Sequence, residues 1–182
     1  MRGVETARLR LRPIERNDLP RLTELLNDWG LARWLSVLPF PFTLKQAEAL
    51  YAESASACFL GIENKSEGLL IGGVSLNPPR HSPLIEGEIE LGFWLSPAFQ
   101  GQGLMREAIT AAISIGFSTL RVPALGATTL PSNKAAQAVL RQTGFQDLGL
   151  IPRTYPALRG DDTVTRWLLV READALPFGE KV

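Results

Sequence analysis

Residues 89–117, IELGFWLSPAFQGQGLMREAITAAISIGF, constrain the fold more than any other stretch. A short apolar run passes through Gly101 and Gly103 straight into an apolar helical pattern of about 17 residues. A helix that opens directly after such a loop presents unpaired backbone N–H groups and a partial positive charge, the two things an anion such as a phosphate needs. Glycines also remove the side chains that would keep a diphosphate off that backbone. The same two glycines suit a plain turn, so their spacing alone leaves both readings open. Neither the GxxxxGKS/T phosphate loop nor the three-glycine dinucleotide fingerprint is present.

The rest of the chain supplies partners for this strand and helix. Residues 8–14, RLRLRPI, alternate basic and apolar, which predicts a half-buried strand with its arginines toward water or an anion. Asn17 and Asp18 offer an N-cap for a helix whose Leu19, Leu22, Leu25 and Leu26 recur at helical spacing and which Gly30 would stop. Two prolines keep LARWLSVLPFPFT from forming a long helix, and Thr43 caps a second helix over 44–57. CFLGIEN and LLIGGVSLN read as strands joined by a KSEG turn, and the acidic EGEIELGFWLS as a third. VPALGATTL predicts a strand, PSNKAAQAVLRQTGF a helix that Gly144 ends, and residues 146–170 two strands around RGDD. The expected class is therefore α+β, a mixed and mostly antiparallel sheet with helices on its faces, in one domain over residues 1–171 with a loose tail at 172–182.

Composition narrows the function. The 182 residues are 45% hydrophobic and 21% charged, as in ordinary globular proteins. Lys plus Arg and Asp plus Glu number 19 each, which argues for no nucleic-acid partner. With one cysteine, Cys58, and one histidine, His81, neither a disulfide nor a Cys/His metal cluster is expected, and both residues are read as structural. No stretch resembles a signal peptide or a membrane span, so a cytoplasmic protein is expected.

In this order the acidic strand EIELGFWLSP, the QGQGLM loop, the long helix and SNKAAQAVLRQTGF resemble the GNAT superfamily of acyl-CoA-dependent N-acetyltransferases. RLRLRP, RWLSVLPFPFT before a helix, and NKAAQAVLRQTGF are similar to the branch that holds the RimJ/RimL-like ribosomal-protein alanine N-acetyltransferases; the resemblance spans roughly residues 6–170. The family's loop pattern, Gln/Arg-x-x-Gly-x-Gly/Ala, falls on Gln100, Gly101, Gln102, Gly103, Leu104 and Met105, with Met105 departing from the small sixth residue. The resemblance implies that Leu91 to Leu95 splay from their neighbour and pair with the pantetheine arm, leaving a backbone N–H near Phe93 or Trp94 for the thioester oxygen. It gives the pyrophosphate to the loop from Gln100 through Arg106, and places Asn133 beside the pantetheine. The tyrosine that many relatives carry seven residues after that asparagine is Leu140 here, the polar residue three after it is Ala136, and a polar base position on the preceding strand is Thr128.

Acetyl transfer needs a neutral amine, a donor for the oxyanion and a proton route. Glu86, Glu88 and Glu90 alternate, so one strand would point all three to one face. Such a row suits an amine-binding cleft or a solvated sheet face. Glu90, next to LGFWL, is the favoured base if burial raises its pKa, and Glu88 is the second candidate. Tyr155 in PRTYPALRG is the candidate acid; alternatively the thiolate leaves unassisted. Trp29, Trp34, Phe40 and Phe42 form either a substrate wall or a small satellite core. The expectation is a monomeric or homodimeric enzyme that uses acetyl-CoA, without metal, on a primary amine, foremost an N-terminal alanine or serine of a ribosomal or other protein. The alternatives are a small-molecule amine or antibiotic acetyltransferase, a non-catalytic acyl-CoA sensor and, more distantly, a dinucleotide-binding fold, which a sheet lacking parallel βαβ units would exclude.

Overall fold

Alternation along β2 (Leu9–Pro13) buries Leu9 and Leu11 and turns Arg10 and Arg12 to the other side. There the arginines meet carboxylates: Arg10 donates to Glu5 and Glu63, and Arg12 donates to Glu63 and, through both terminal nitrogens, to Asp18. This arrangement comes from a computed structural model, which describes residues 3–35, 37–54, 58–79, 84–152 and 163–171. Tyr155, His81 and the 172–182 segment lie outside the described residues.

The remaining strands are β1 (Val4–Glu5), β3 (Cys58–Asn64), β4 (Leu69–Asn77), β5 (Ile89–Leu95), β6 (Ala124–Thr129), β7 (Gln146–Pro152) and β8 (Thr163–Val170). They form one eight-stranded sheet in the order β1-β2-β3-β4-β5-β6-β8-β7. Every pairing is antiparallel except β5 with β6, which are parallel and joined through α4 (Leu104–Ser114). With one parallel pair among the described strands, the sheet is not the repeated βαβ winding of a dinucleotide-binding fold.

The helices divide between the two faces. Helices α1 (Leu19–Leu26), α2 (Trp29–Ala32) and α3 (Leu44–Ser54) pack Leu22, Leu25, Leu31 and Ala47 with Ile14, Leu70 and Trp94. On the opposite face α4 and α5 (Lys134–Gln142) join Leu104, Ile109 and Leu140 to Leu91, Leu95, Leu125 and Trp167. Helix α4 runs on as a π-turn over Ile115–Thr119, and Gly144, at φ +92°, follows α5 as the expected terminator.

Two expectations change. Helix α1 ends at Leu26 rather than Gly30, because the Asp28 side chain accepts the Gly30 N–H at 2.7 Å and caps the short α2. The acidic strand begins only at Ile89: Gly87 has φ +81° and the Glu88 N–H donates to the Ile85 carbonyl, so Glu86 sits exposed in a turn and the row of three carboxylates does not form.

Candidate active site

The feature that opens the sheet is the short reach of the β5/β6 pairing. Its parallel register covers Ile89 with Leu125 and Glu90 with Gly126, and past those residues the two strands part. The side of β5 facing that gap follows from hydrogen-bond parity. Ser96 N–H donates to the Ile71 carbonyl at 2.8 Å, and β4/β5 run without a bulge, so Trp94, Gly92 and Glu90 also turn their backbone groups to β4. Leu91, Phe93 and Leu95 turn theirs to the gap. The Leu95 carbonyl is met there by Gln100 Nε2 at 2.8 Å, which ties the glycine loop to the end of β5. Of the two backbone donors expected for a thioester oxygen, geometry favours Phe93. The Trp94 N–H is turned to β4, and its indole is packed against the α1–α3 cluster.

Side chains on the other parity form the second half of the site. Glu90 stands directly opposite Asn77 on β4, and Gly92 opposite Ser75, all on the sheet face covered by α1–α3. Glu90 Oε1 accepts from Thr128 Oγ1 at 2.9 Å, so Thr128, at the position some relatives use for a base, is instead a donor to the carboxylate. Asn77 Oδ1 is buried and finds no hydrogen-bond partner among the described residues. Glu88 goes elsewhere. Its carboxylate is buried, accepts from Arg166 Nη2 at 2.6 and 2.9 Å and from the Leu84 N–H at 2.9 Å, and takes no part in lining the cleft. A group held in a buried ion pair is a brace rather than the amine's base, which corrects its placement among the catalytic candidates. Gly126 makes room for this pair, since a Cβ there would lie 2.0 Å from Glu88 Oε1.

These elements border a cleft of about 590 Å³. One flank is Gly101, Gly103, Met105 and Arg106 with Asn133, Ala136 and Val139; the rest of the lining is mostly apolar, with Leu31, Trp34, Leu35, Leu38 and Phe59, and includes the carboxylate Glu53. Gly101 and Gly103 both have φ +75°, and a Cβ on Gly101 would meet nothing within 4 Å, so the loop is open to an approaching diphosphate. Gly103 is the N-cap of α4, whose first intrahelical bond runs from Glu107 N–H to Gly103 O, so the preceding N–H groups remain for a ligand. Met105 is 9% exposed and packs into the core, so the departure from a small residue does not crowd the loop. Gln102 is turned away from the cleft, its carbonyl held by Arg8 Nη1 at 2.9 Å. Asn133, which borders the cleft, caps α5 by accepting the Ala136 N–H at 3.1 Å through its amide oxygen, so its amide nitrogen takes no part in the cap. Leu140, where many relatives have tyrosine, is fully buried.

The four aromatics separate by role. Trp34 lines the cleft, Phe42 is core, and Trp29 and Phe40 form an exposed edge-to-face pair with centroids 5.0 Å apart. Ser75 and Asn77 were not singled out by sequence; strand alternation opposite Gly92 and Glu90 would have found them once the register was known. Among the described residues no three His, Cys, Asp or Glu side chains group to hold a metal, and no helix is long and apolar enough to cross a membrane.

A strand edge freed for an extended ligand, beside a glycine loop at a helix start, is how the acetyltransferase (GNAT) domain family holds its donor, and the chain matches that family over residues 8–146 and belongs to it. It is an acetyl-CoA-dependent N-acetyltransferase. Among its relatives, the N-acetyltransferase YoaA of Bacillus subtilis is 27% identical over 154 residues, covering 81% of this chain and 85% of that protein. The [ribosomal protein uS5]-alanine N-acetyltransferase of Escherichia coli is 29% identical over 102 residues, 54% of this chain and 50% of that one. A solved ribosomal L7/L12 alpha-N-protein acetyltransferase in complex with coenzyme A superposes with a TM-score of 0.78 at 21% identity, over 94% of this chain and 99% of that chain.

Proposed function

We propose that the acceptor is the free α-amino group of a protein or peptide beginning with alanine or serine, and that Glu90 is its base. The observation that carries this reading is the form of the cleft. Apolar side chains from α2 and the segment after it, with Phe59, face a sheet wall whose polar groups include Glu90, held by Thr128, opposite Asn77. The apolar wall fits a small apolar first residue beside an amine at Glu90, and Glu53, a second carboxylate bordering the cleft, is where a further amine of a polycation would have to pair. The partial similarity to the uS5-alanine enzyme supports the same acceptor class. A cytoplasmic site of action goes with it.

In the proposed reaction the neutral amine nitrogen attacks the thioester carbonyl carbon. The C–N bond forms, the oxyanion is met by the Phe93 N–H, and the C–S bond breaks as the carbonyl returns. Glu90 takes the proton lost by nitrogen, directly or through one water. The departing thiolate takes its proton from solvent, since a thiol is acidic enough to leave without a dedicated donor. Leu91 and Phe93 offer backbone groups to the pantetheine, the loop from Gln100 through Arg106 the diphosphate site, and Asn133 a side-chain donor.

The test is thiol release from acetyl-CoA with N-terminal Ala and Ser peptides beside polyamines and aminoglycosides. The peptides are expected to turn over; turnover confined to the small amines would replace the acceptor class. E90Q is expected to lower kcat by about 100-fold or more at saturating substrate, in the range of a lost general base. Full turnover by E90Q would remove Glu90 from the mechanism.

A further inference from the structure

The start of α4 carries a charge that a phosphate site should not tolerate. Glu107 lies in its first turn, where a carboxylate stabilises the helix through the dipole and for the same reason competes with a bound anion. The structure deals with that carboxylate in a specific way. Oε2 accepts from Arg8 Nε at 2.7 Å, and Oε1 accepts from the Arg8 N–H at 2.8 Å and from Thr6 Oγ1 at 2.6 Å. The chain just before β2 thus reaches across to the glycine loop, and the charge of Glu107 is matched by one guanidinium.

The same guanidinium acts on the loop itself. Arg8 Nη1 donates to the Gln102 carbonyl at 2.9 Å. In a trans peptide the carbonyl and the next N–H point in opposite directions, so drawing the Gln102 carbonyl toward Arg8 aims the Gly103 N–H the other way. That is the direction of the cleft, which Gly103 lines and Gln102 does not. Gly103, at φ +75°, lets the peptide stand in this orientation.

We infer that Arg8 is a positioning residue for the diphosphate of the acyl donor: it orients the Gly103 N–H through the Gln102 carbonyl and cancels the Glu107 charge at the helix start. The inference rests on the reading of the Gln100–Arg106 loop as the diphosphate site. The first of these effects is geometric and the second electrostatic, and they separate by mutation.

The experiment is calorimetric titration of the full chain with CoA and with 3′-dephospho-CoA, both of which carry the diphosphate. R8M is expected to weaken both alike, by about tenfold, the size of a charge placed at a helix start. R8M/E107Q is expected to recover the part of that loss due to the uncancelled charge while the part due to the unheld Gln102 carbonyl persists, and R8K to bind better than R8M but worse than the parent, since a lysine keeps the charge but not the fork. A purely structural Arg8 would make the double variant bind no better than R8M, and that result overturns the inference. Unchanged affinity in R8M overturns it too, as does a loss seen with CoA but not with its dephospho form, which would make Arg8 a 3′-phosphate ligand. G103A reports separately on the loop: if it weakens CoA while R8M does not, Arg8 is misassigned and the loop is not; if neither does, the diphosphate lies elsewhere.

Discussion

Removing Glu88 exposes what the buried pair beneath the active site contributes. Both partners are 3% exposed, and the carboxylate takes two contacts from Arg166 Nη2, at 2.6 and 2.9 Å, and one from the Leu84 N–H. In E88A the guanidinium cannot escape by losing its proton and is left charged inside the protein. Removal of one member of a buried pair costs about 3–5 kcal/mol. For a chain of this length each kcal/mol lowers Tm by about 2–4 °C, so E88A should melt about 6–20 °C below the parent. Replacing both partners by an apolar residue of similar volume, in E88M/R166M, removes the two charges together and should restore most of the loss. The assay is thermal and urea unfolding of the parent, E88M, R166M and E88M/R166M, read as a mutant cycle, with E88A measured beside them. If E88A lies within about 1 kcal/mol of the parent, or if the double variant is as unstable as the sum of the singles, the pair is not the coupled unit described. The pair also sits beside the last rung of β5/β6 pairing, so E88A should weaken CoA binding at temperatures where it is still folded.

Other expectations follow from the turn glycines, the N-terminal carboxylates and the buried Leu140. G101A and G68A both place a methyl group at positive φ, 75° and 66°, with nothing within 4 Å, so each should cost about 1 kcal/mol, measured by urea unfolding; only G101A should also weaken CoA in calorimetry. Asp18 and Glu107 are each pushed up by burial but held below the ordinary carboxylate range by their donors, Arg12 and the Glu15 N–H for Asp18, Thr6 and Arg8 for Glu107. The unfolded chain therefore binds their protons first. Their contribution is complete above ordinary carboxylate values, about 4, and is lost as pH falls through the lower folded values, so the urea midpoint should drop with acid and D18N should flatten that slope. L140Y should destabilise by about 1–3 kcal/mol through overpacking and bring no gain in turnover, because that position faces the core.

Where period and punctuation are local, the sequence is explicit. The 58–64 and 69–77 runs coincide with β3 and β4, and Gly144 adopts the left-handed conformation that ends α5. The carboxylate row fails because its alternation was carried through Gly87, a residue free to turn. Gly30 misleads in the reverse sense: the signal was Asp28, two residues earlier, whose side chain starts a new helix. Glu88 was invisible as a brace because Arg166 lies 78 residues away, and no pattern along the chain announces a pairing across β6 and β8. The roles of Arg8 and Thr128 are of the same kind, set by which strands become neighbours.

In the proposed reaction strand β5 carries two functions on interleaved residues. Leu91, Phe93 and Leu95 have their backbones toward the gap and their side chains in the α4 core, whereas Glu90 and Gly92 have their backbones committed to β4, with the Glu90 side chain and the bare Cα of Gly92 on the face covered by α1–α3. Substitution of Leu91, Phe93 or Leu95 leaves the donor edge, built of main chain, as it was, whereas on the second set Glu90 is the proposed base and a Cβ at Gly92 would lie 2.6 Å from Ser75 Oγ. Insertion or loss of one residue within β5 has the opposite outcome. It exchanges the two sets, burying the carboxylate and misdirecting the amide in a single step, so the length of this strand is held more tightly than the identity of its core-facing side chains.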